Sequence, residues 1–129
     1  MPIKFSVTPK KDPRDLSAAP RYYAIVKSDG RSDTNTVAKS INRMSTVSSV
    51  DTAAVLEAFL TVVPEELANG RIVELGDFGT FRASVSSEGA AQAGDVTSRN
   101  ITDVRVIFTP GKRFKQVLDA AEFQKESQN

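Results

Sequence analysis

Apolar residues recur along the chain at two different spacings, and the spacing changes where turn-forming residues fall. Ile3, Phe5 and Val7 alternate with Lys4, Ser6 and Thr8, the period-2 pattern of a strand with two unlike faces. Pro9, Pro13 and Pro20 bracket a polar connection. Tyr22-Tyr23-Ala24-Ile25-Val26 then reads as a second strand that ends at Ser28-Asp29-Gly30. From there the period lengthens. Asp33 or Thr34 caps a helix running to about Met44, with Val37, Ile41 and Met44 at i, i+4 and i+7. Ser48 followed by Asp51 opens a longer helix in the manner of a capping box. This helix carries two adjacent apolar stripes, one of Ala53, Leu56, Leu60, Val63 and Leu67, the other of Val55, Phe59 and Val62. An apolar arc that wide needs cover from more than one side, and a second subunit is its natural source. Pro64 lacks a backbone donor and predicts a kink or break near Val63, and Asn69-Gly70 predicts a left-handed stop.

Past the helices the period returns to two. Ile72 to Leu75 and Thr80 to Val85 read as strands joined by a Gly76–Gly79 turn that brings Phe78 and Phe81 back to one core. Ile101 to Phe108 alternates, with Val104, Val106 and Phe108 on one face and Asp103 and Arg105 on the other. The stretch between Phe81 and Phe108 is long enough for a two-stranded arm. Phe114, Val117, Leu118 and Ala121 share one face of a last helix starting near Lys112, and the tail 125–129 is expected to fray.

Composition narrows the chemistry. A chain of 129 residues, 40% hydrophobic and 26% charged, suits one soluble domain. With no cysteine and no histidine, disulfides, thiol nucleophiles, the usual structural zinc sites and imidazole acid–base catalysis are excluded. Carboxylate pairs such as Glu65/Glu66 and Asp119/Glu122 fall on regular helix surfaces, where solvation is their ordinary role. The expectation is a protein that is not an enzyme and needs no cofactor, metal or small-molecule substrate. The first residues have no apolar run of signal-peptide length and no stretch approaches a membrane span, so a cytoplasmic location is expected. A net charge of +1 conceals an uneven distribution: residues 1–43 carry nine Lys/Arg against four acids, and residues 44–81 carry one against six. A basic first third is compatible with a polyanionic partner.

Two short motifs invite functional readings. Gly76-Asp77-Phe78-Gly79 has the spacing of a GXXG loop that clamps nucleic-acid backbone, but its flanks are strands and its middle residues an acid and a phenylalanine; a turn fits better. Pro110-Gly111-Lys112-Arg113 fails the phosphate-loop pattern, because Val106 stands where a glycine is needed and Arg113 where a Ser or Thr is needed. What remains there is a helix N-terminus beside Lys112, Arg113 and Lys115, a combination suited to phosphate contact.

The order of these parts is a pair of helices, Leu75-Gly76-Asp77-Phe78-Gly79-Thr80-Phe81, an arm-length segment, and Phe108-Thr109-Pro110-Gly111-Lys112. In that order the chain resembles the HU/IHF family of bacterial architectural DNA-binding proteins, over roughly residues 33 to 121. The resemblance implies an α+β fold: a helical pair, a β-sheet with a projecting β-arm, and a C-terminal helix, in an intertwined homodimer. It divides the chain into an N-terminal β-extension (1–32), an HU/IHF-like domain (33–124) with its arm at 82–107, and the tail (125–129). It implies non-catalytic, largely sequence-independent binding of double-stranded DNA in the nucleoid. The contacts would come from Arg82, Arg99 and Arg105 in the arm and from Lys112, Arg113 and Lys115 on the last helix. Family arms are basic and wedge a proline between base steps. Here residues 82–107 contain no proline and no lysine, and three arginines face Glu88, Asp95 and Asp103. That departure supports the alternative of an interaction or structural dimer with weak or lost DNA binding. Lys4, Lys10, Lys11, Arg14 and Arg21 either supply the missing charge, or belong to strands that only shield a sheet edge.

Overall fold

The computed structural model describes residues 2–126. In chain order it has strands β1 (Ile3–Lys10) and β2 (Arg21–Lys27), helices α1 (Thr34–Arg43) and α2 (Ser49–Ala68), and strands β3 (Val73–Glu74) and β4 (Gly79–Ser87). Two short 3₁₀ turns, Ala93–Asp95 and Ser98–Asn100, precede strand β5 (Ile101–Pro110), helix α3 (Lys112–Asp119) and strand β6 (Phe123–Lys125). The strands make two three-stranded sheets, ordered β2-β1-β6 and β3-β4-β5. The result is an α+β fold.

Capping chemistry sets the helix limits. The Asp33 carboxylate accepts from the Thr36 N–H (2.9 Å) and hydroxyl (2.8 Å) and starts α1. Those two bonds hold the Asp33 carboxyl below its usual range. Ser48 Oγ accepts from the Asp51 N–H (3.1 Å) and starts α2. At the far end of α2 the Gly70 N–H donates to the Leu67 carbonyl and the Arg71 N–H to the Glu66 carbonyl, a Schellman stop with Gly70 at φ +81°. The helix runs unbroken through Pro64, so the expected break does not occur. Pro64 removes a single backbone bond one turn from the C-terminus, while the remaining bonds and both caps hold the helix together.

The sheet β3-β4-β5 carries the aromatic core. Phe81 lies opposite Phe108 and Val73 in register. The rings of Phe81 and Phe108 stand 4.8 Å apart, with Phe78 and Phe114 within 5.7 and 5.4 Å of Phe108. α1 packs on α2, and α2 lies against β3 and β4. Among the described residues Leu67 and Thr52 are the buried side chains, and neither is fully enclosed. Much of the apolar surface marked out by the sequence lies open: Val55 is 68% exposed, Val62 51%, and Val104 and Val106 61% each. The chain exposes 11058 Å², whereas a compact monomer of 14.0 kDa would expose about 6,700 Å².

The C-terminal segment departs from the expected frayed tail. Lys125 closes strand β6, which pairs in parallel with β1 through Ile3↔Phe123, Lys4↔Gln124 and Phe5↔Lys125. The Glu126 N–H donates to the Phe5 carbonyl (2.9 Å), and residues 127–129 lie outside the described residues. β6 thereby joins the chain's end to its N-terminal hairpin.

Candidate nucleic-acid interface

Strands β4 and β5 form one antiparallel ribbon from Gly79↔Pro110 to Ser87↔Ile101, with an irregularity between Ser86 and Ser87. Alternation gives the ribbon two unlike faces. Phe81, Ala83 and Val85 lie opposite Phe108, Val106 and Val104 on one face. The other face carries Arg82 opposite Ile107, Ser84 opposite Arg105 and Ser86 opposite Asp103. Arg82 and Arg105 are therefore diagonal neighbours on a single polar face, about 7–8 Å apart at the backbone. Arg99, the third arginine expected in the arm, lies off the ribbon in the second 3₁₀ turn. There the Thr97 N–H donates to Asn100 Oδ1 (2.9 Å) and the Arg99 N–H to Thr97 Oγ1 (3.3 Å), which orders the approach to β5.

The base of the ribbon fixes α3. Gly111 caps the helix and its N–H donates to the Phe78 carbonyl (2.9 Å). A Cβ on Gly111 would collide with the Asp77 carbonyl oxygen, and one on Gly79, at φ +150°, would meet the Phe108 ring at 2.5 Å. Glycine is needed at both positions because backbone passes against backbone or ring. The Arg113 N–H donates to the Asp77 carbonyl (3.1 Å). The helix N-terminus is thus partly occupied from within, and the anion-binding capacity expected of it rests more on the side chains of Lys112, Arg113 and Lys115 than on free N–H groups. All three are exposed at the start of α3. Arg113 also borders an apolar cleft of about 260 Å³ with Phe78, Phe114, Val117 and Leu118.

Among the described residues the ion pairs are Lys4–Asp29 (3.3 Å), Lys27–Glu126 (2.7 Å) and Arg71–Glu66 (3.0 Å). Arg82, Arg99, Arg105, Lys112, Arg113 and Lys115 belong to none of them. The fold brings Arg82 and Arg105 together, clusters the three cations of α3, and leaves Arg99 apart. It also sets Lys10 directly opposite Arg21 in register, two of the N-terminal cations that the sequence offers as a source of the charge missing from the arm. Sequence composition marks these residues as cations, but their juxtaposition depends on strand register. No group of metal-ligating side chains occurs among the described residues, and no helix is long and apolar enough to cross a membrane.

The chain is similar to a solved structure from Bacteroides vulgatus ATCC 8482 described as a presumed bacterial DNA-binding protein, with a TM-score of 0.66 at 17% identity. The alignment covers 98% of this chain and 50% of that one, so the present chain spans about half the length of its structural relative. At that identity the likeness is one of fold. No curated protein matches the sequence. A family model does match, over residues 1–125, and so takes in the N-terminal hairpin that the HU/IHF resemblance left aside. The chain belongs to the HU-HIG family, described as an HU domain fused to a wHTH, Ig or glycine-rich motif.

Proposed function

We propose that this protein is a non-catalytic, largely sequence-independent binder of double-stranded DNA, acting as a homodimer in the cytoplasmic nucleoid. The observation that carries the reading is the two-faced β4–β5 ribbon, with Arg82 and Arg105 on one face, in no ion pair among the described residues, and Ala83, Val85, Val104 and Val106 on the other. Phosphate contact needs cations not already neutralised by carboxylates, and Lys112, Arg113 and Lys115 add three at the ribbon's base. Arg99 contributes from the turn beside the ribbon. The name of the structural relative is consistent with this reading. The chemistry asks for no cofactor and no bound metal.

A second reading is favoured by one observation. The ribbon and its tip carry as many acids as cations across residues 82–107, which suits a dimer that kept the fold for protein contacts. Titration of the protein with unrelated duplexes at two salt concentrations separates the two. DNA binding through six phosphate contacts should weaken by about 10³-fold between about 50 and 200 mM salt, and by more when both subunits engage, equally for each sequence. Reversal of Lys112 and Arg113 to Glu should reduce affinity on all duplexes alike. Absence of binding at low salt would leave the interaction-dimer reading.

A further inference from the structure

The N-terminal hairpin pairs cation with cation. Lys4 lies opposite Lys27 near one end, and Lys10 lies opposite Arg21 at the other. Like charges directly opposed across an antiparallel pair destabilise it. At the first end the repulsion is relieved, because Lys4 reaches Asp29 at 3.3 Å and Lys27 reaches Glu126 at 2.7 Å. At the second end no carboxylate pairs with either residue among the described residues. The loop that follows adds Lys11 and Arg14, and its two acids are engaged locally. Asp12 accepts from the Arg14 N–H (2.8 Å), and Asp15 from the Ser17 N–H (3.1 Å) and hydroxyl (2.6 Å). Those Ser17 bonds also hold the Asp15 carboxyl below its usual range.

Alternation in the strands puts Lys10, Arg21 and Tyr23 on the same face, and Lys10 Nζ lies 5.8 Å from the centre of the Tyr23 ring. With Lys11, Asp12 and Pro13 these side chains border an open cleft of about 650 Å³. A concave, exposed site lined by three cations (Lys10, Lys11 and Arg21) against one carboxylate (Asp12), with the Tyr23 ring beside Lys10, suits an extended polyanion better than a small neutral ligand.

We propose that this far end of the β1–β2 hairpin, built from Lys10, Lys11, Arg21 and Tyr23, is a second contact site for the phosphodiester backbone of duplex DNA. The inference rests on the DNA-binding function proposed above and adds a site separate from the ribbon and α3. Bound phosphate supplies the counter-charge that Lys10 and Arg21 lack in the free protein, whereas Lys4 and Lys27 already have theirs. The site reads charge and not sequence, so it acts alike on unrelated duplexes.

The test compares the full chain with Lys10→Gln/Arg21→Gln and with a control, Lys27→Gln, by fluorescence anisotropy on two unrelated duplexes across a salt series. Loss of two phosphate contacts per hairpin should reduce the slope of log affinity against log salt by about 1.8 for each hairpin that engages the duplex, on both duplexes alike, and the control should leave it unchanged. Removing opposed like charges should leave the thermal midpoint of the double variant equal or higher, so misfolding does not mimic the result. Footprinting of the unmodified protein gives an independent readout: bound duplex should protect Lys10 and Lys11 from acetylation and leave Lys27 reactive. An unchanged slope with unprotected Lys10 overturns the second site while leaving the proposed function standing, provided Lys112/Arg113 reversal still weakens binding. A wild-type chain that binds no duplex at low salt overturns both. Binding to phosphatidylglycerol vesicles without DNA binding also overturns both, and makes the cleft a lipid-surface contact.

Discussion

Phe108 touches three other rings, with centroids 4.8, 5.4 and 5.7 Å from its own, whereas Phe81 has Phe108 as its one aromatic partner. The sheet, the Gly76–Gly79 turn and α3 all converge on that side chain. Truncation of Phe108 to Ala should therefore cost about 3–5 kcal/mol, and Phe81→Ala less, since both are half-buried but Phe81 meets one ring where Phe108 meets three. Urea melts at one fixed chain concentration compare the two. Equal losses would mean that Phe108 does not organise the cluster. The sequence made Phe81 and Phe108 legible as packing residues, but Phe78, expected to return to the same core, joins the ring cluster while staying 47% exposed. It gave a turn reason for the glycines, and for Gly79 and Gly111 that reason was incomplete. Each stands where a neighbouring ring or carbonyl comes too close for a Cβ, a distance no local pattern encodes.

The β4–β5 ribbon shows how far element-level reading reaches. Alternation in Ile101 to Phe108 predicted its two faces, and the register bears that out. The tip was harder to read, because Ser87 to Asp95 has no period. Its second 3₁₀ turn depends on local side-chain bonds between Thr97 and Asn100, whereas the first, Ala93–Asp95, has no side-chain cap. Kinking a duplex requires an apolar side chain inserted between base steps. Residues 88–100 include no proline, and their one large apolar side chain is Val96, 51% exposed between the two turns. A duplex labelled at both ends should thus show little shortening by energy transfer when the protein binds, and Val96→Ala should leave the value unchanged. Marked shortening that disappears in Val96→Ala would identify Val96 as a wedge and refute the straight-duplex expectation.

For the whole molecule, surface area is the governing quantity. The 11058 Å² exposed exceeds the compact-monomer value by about 4,000 Å². Extended strands account for part of this, but Val55, Leu60 and Val62 on α2 are open as well. An obligate interface buries roughly 1,000–2,500 Å² on each partner, well within that excess. A second copy of the chain, as proposed above, would cover the exposed stripe of α2. Sedimentation equilibrium should give twice the chain mass at micromolar concentration, and the melting temperature should rise with concentration because folding and association are linked. A folded monomer under those conditions, with a concentration-independent midpoint, would rule this out.

What the sequence determined by itself is everything that depends on neighbours within a turn or two. The caps at Asp33 and Ser48, the stop at Gly70, the alternation of β1 and β5 and the start of α3 near Lys112 all follow from side chains bonding or packing locally. Tertiary structure decided the rest. A three-residue strand such as Phe123–Lys125 carries no period of its own and exists only because β1 offers a free edge. Pro64 stays within α2 because one absent hydrogen bond is small beside the bonds and caps of a 20-residue helix. Likewise the chain lists Lys10 and Arg21 as two ordinary cations, and only the register of β1 against β2 sets them face to face. Charge along a sequence is additive, but its effect depends on distance, and distance between remote residues is fixed by the fold.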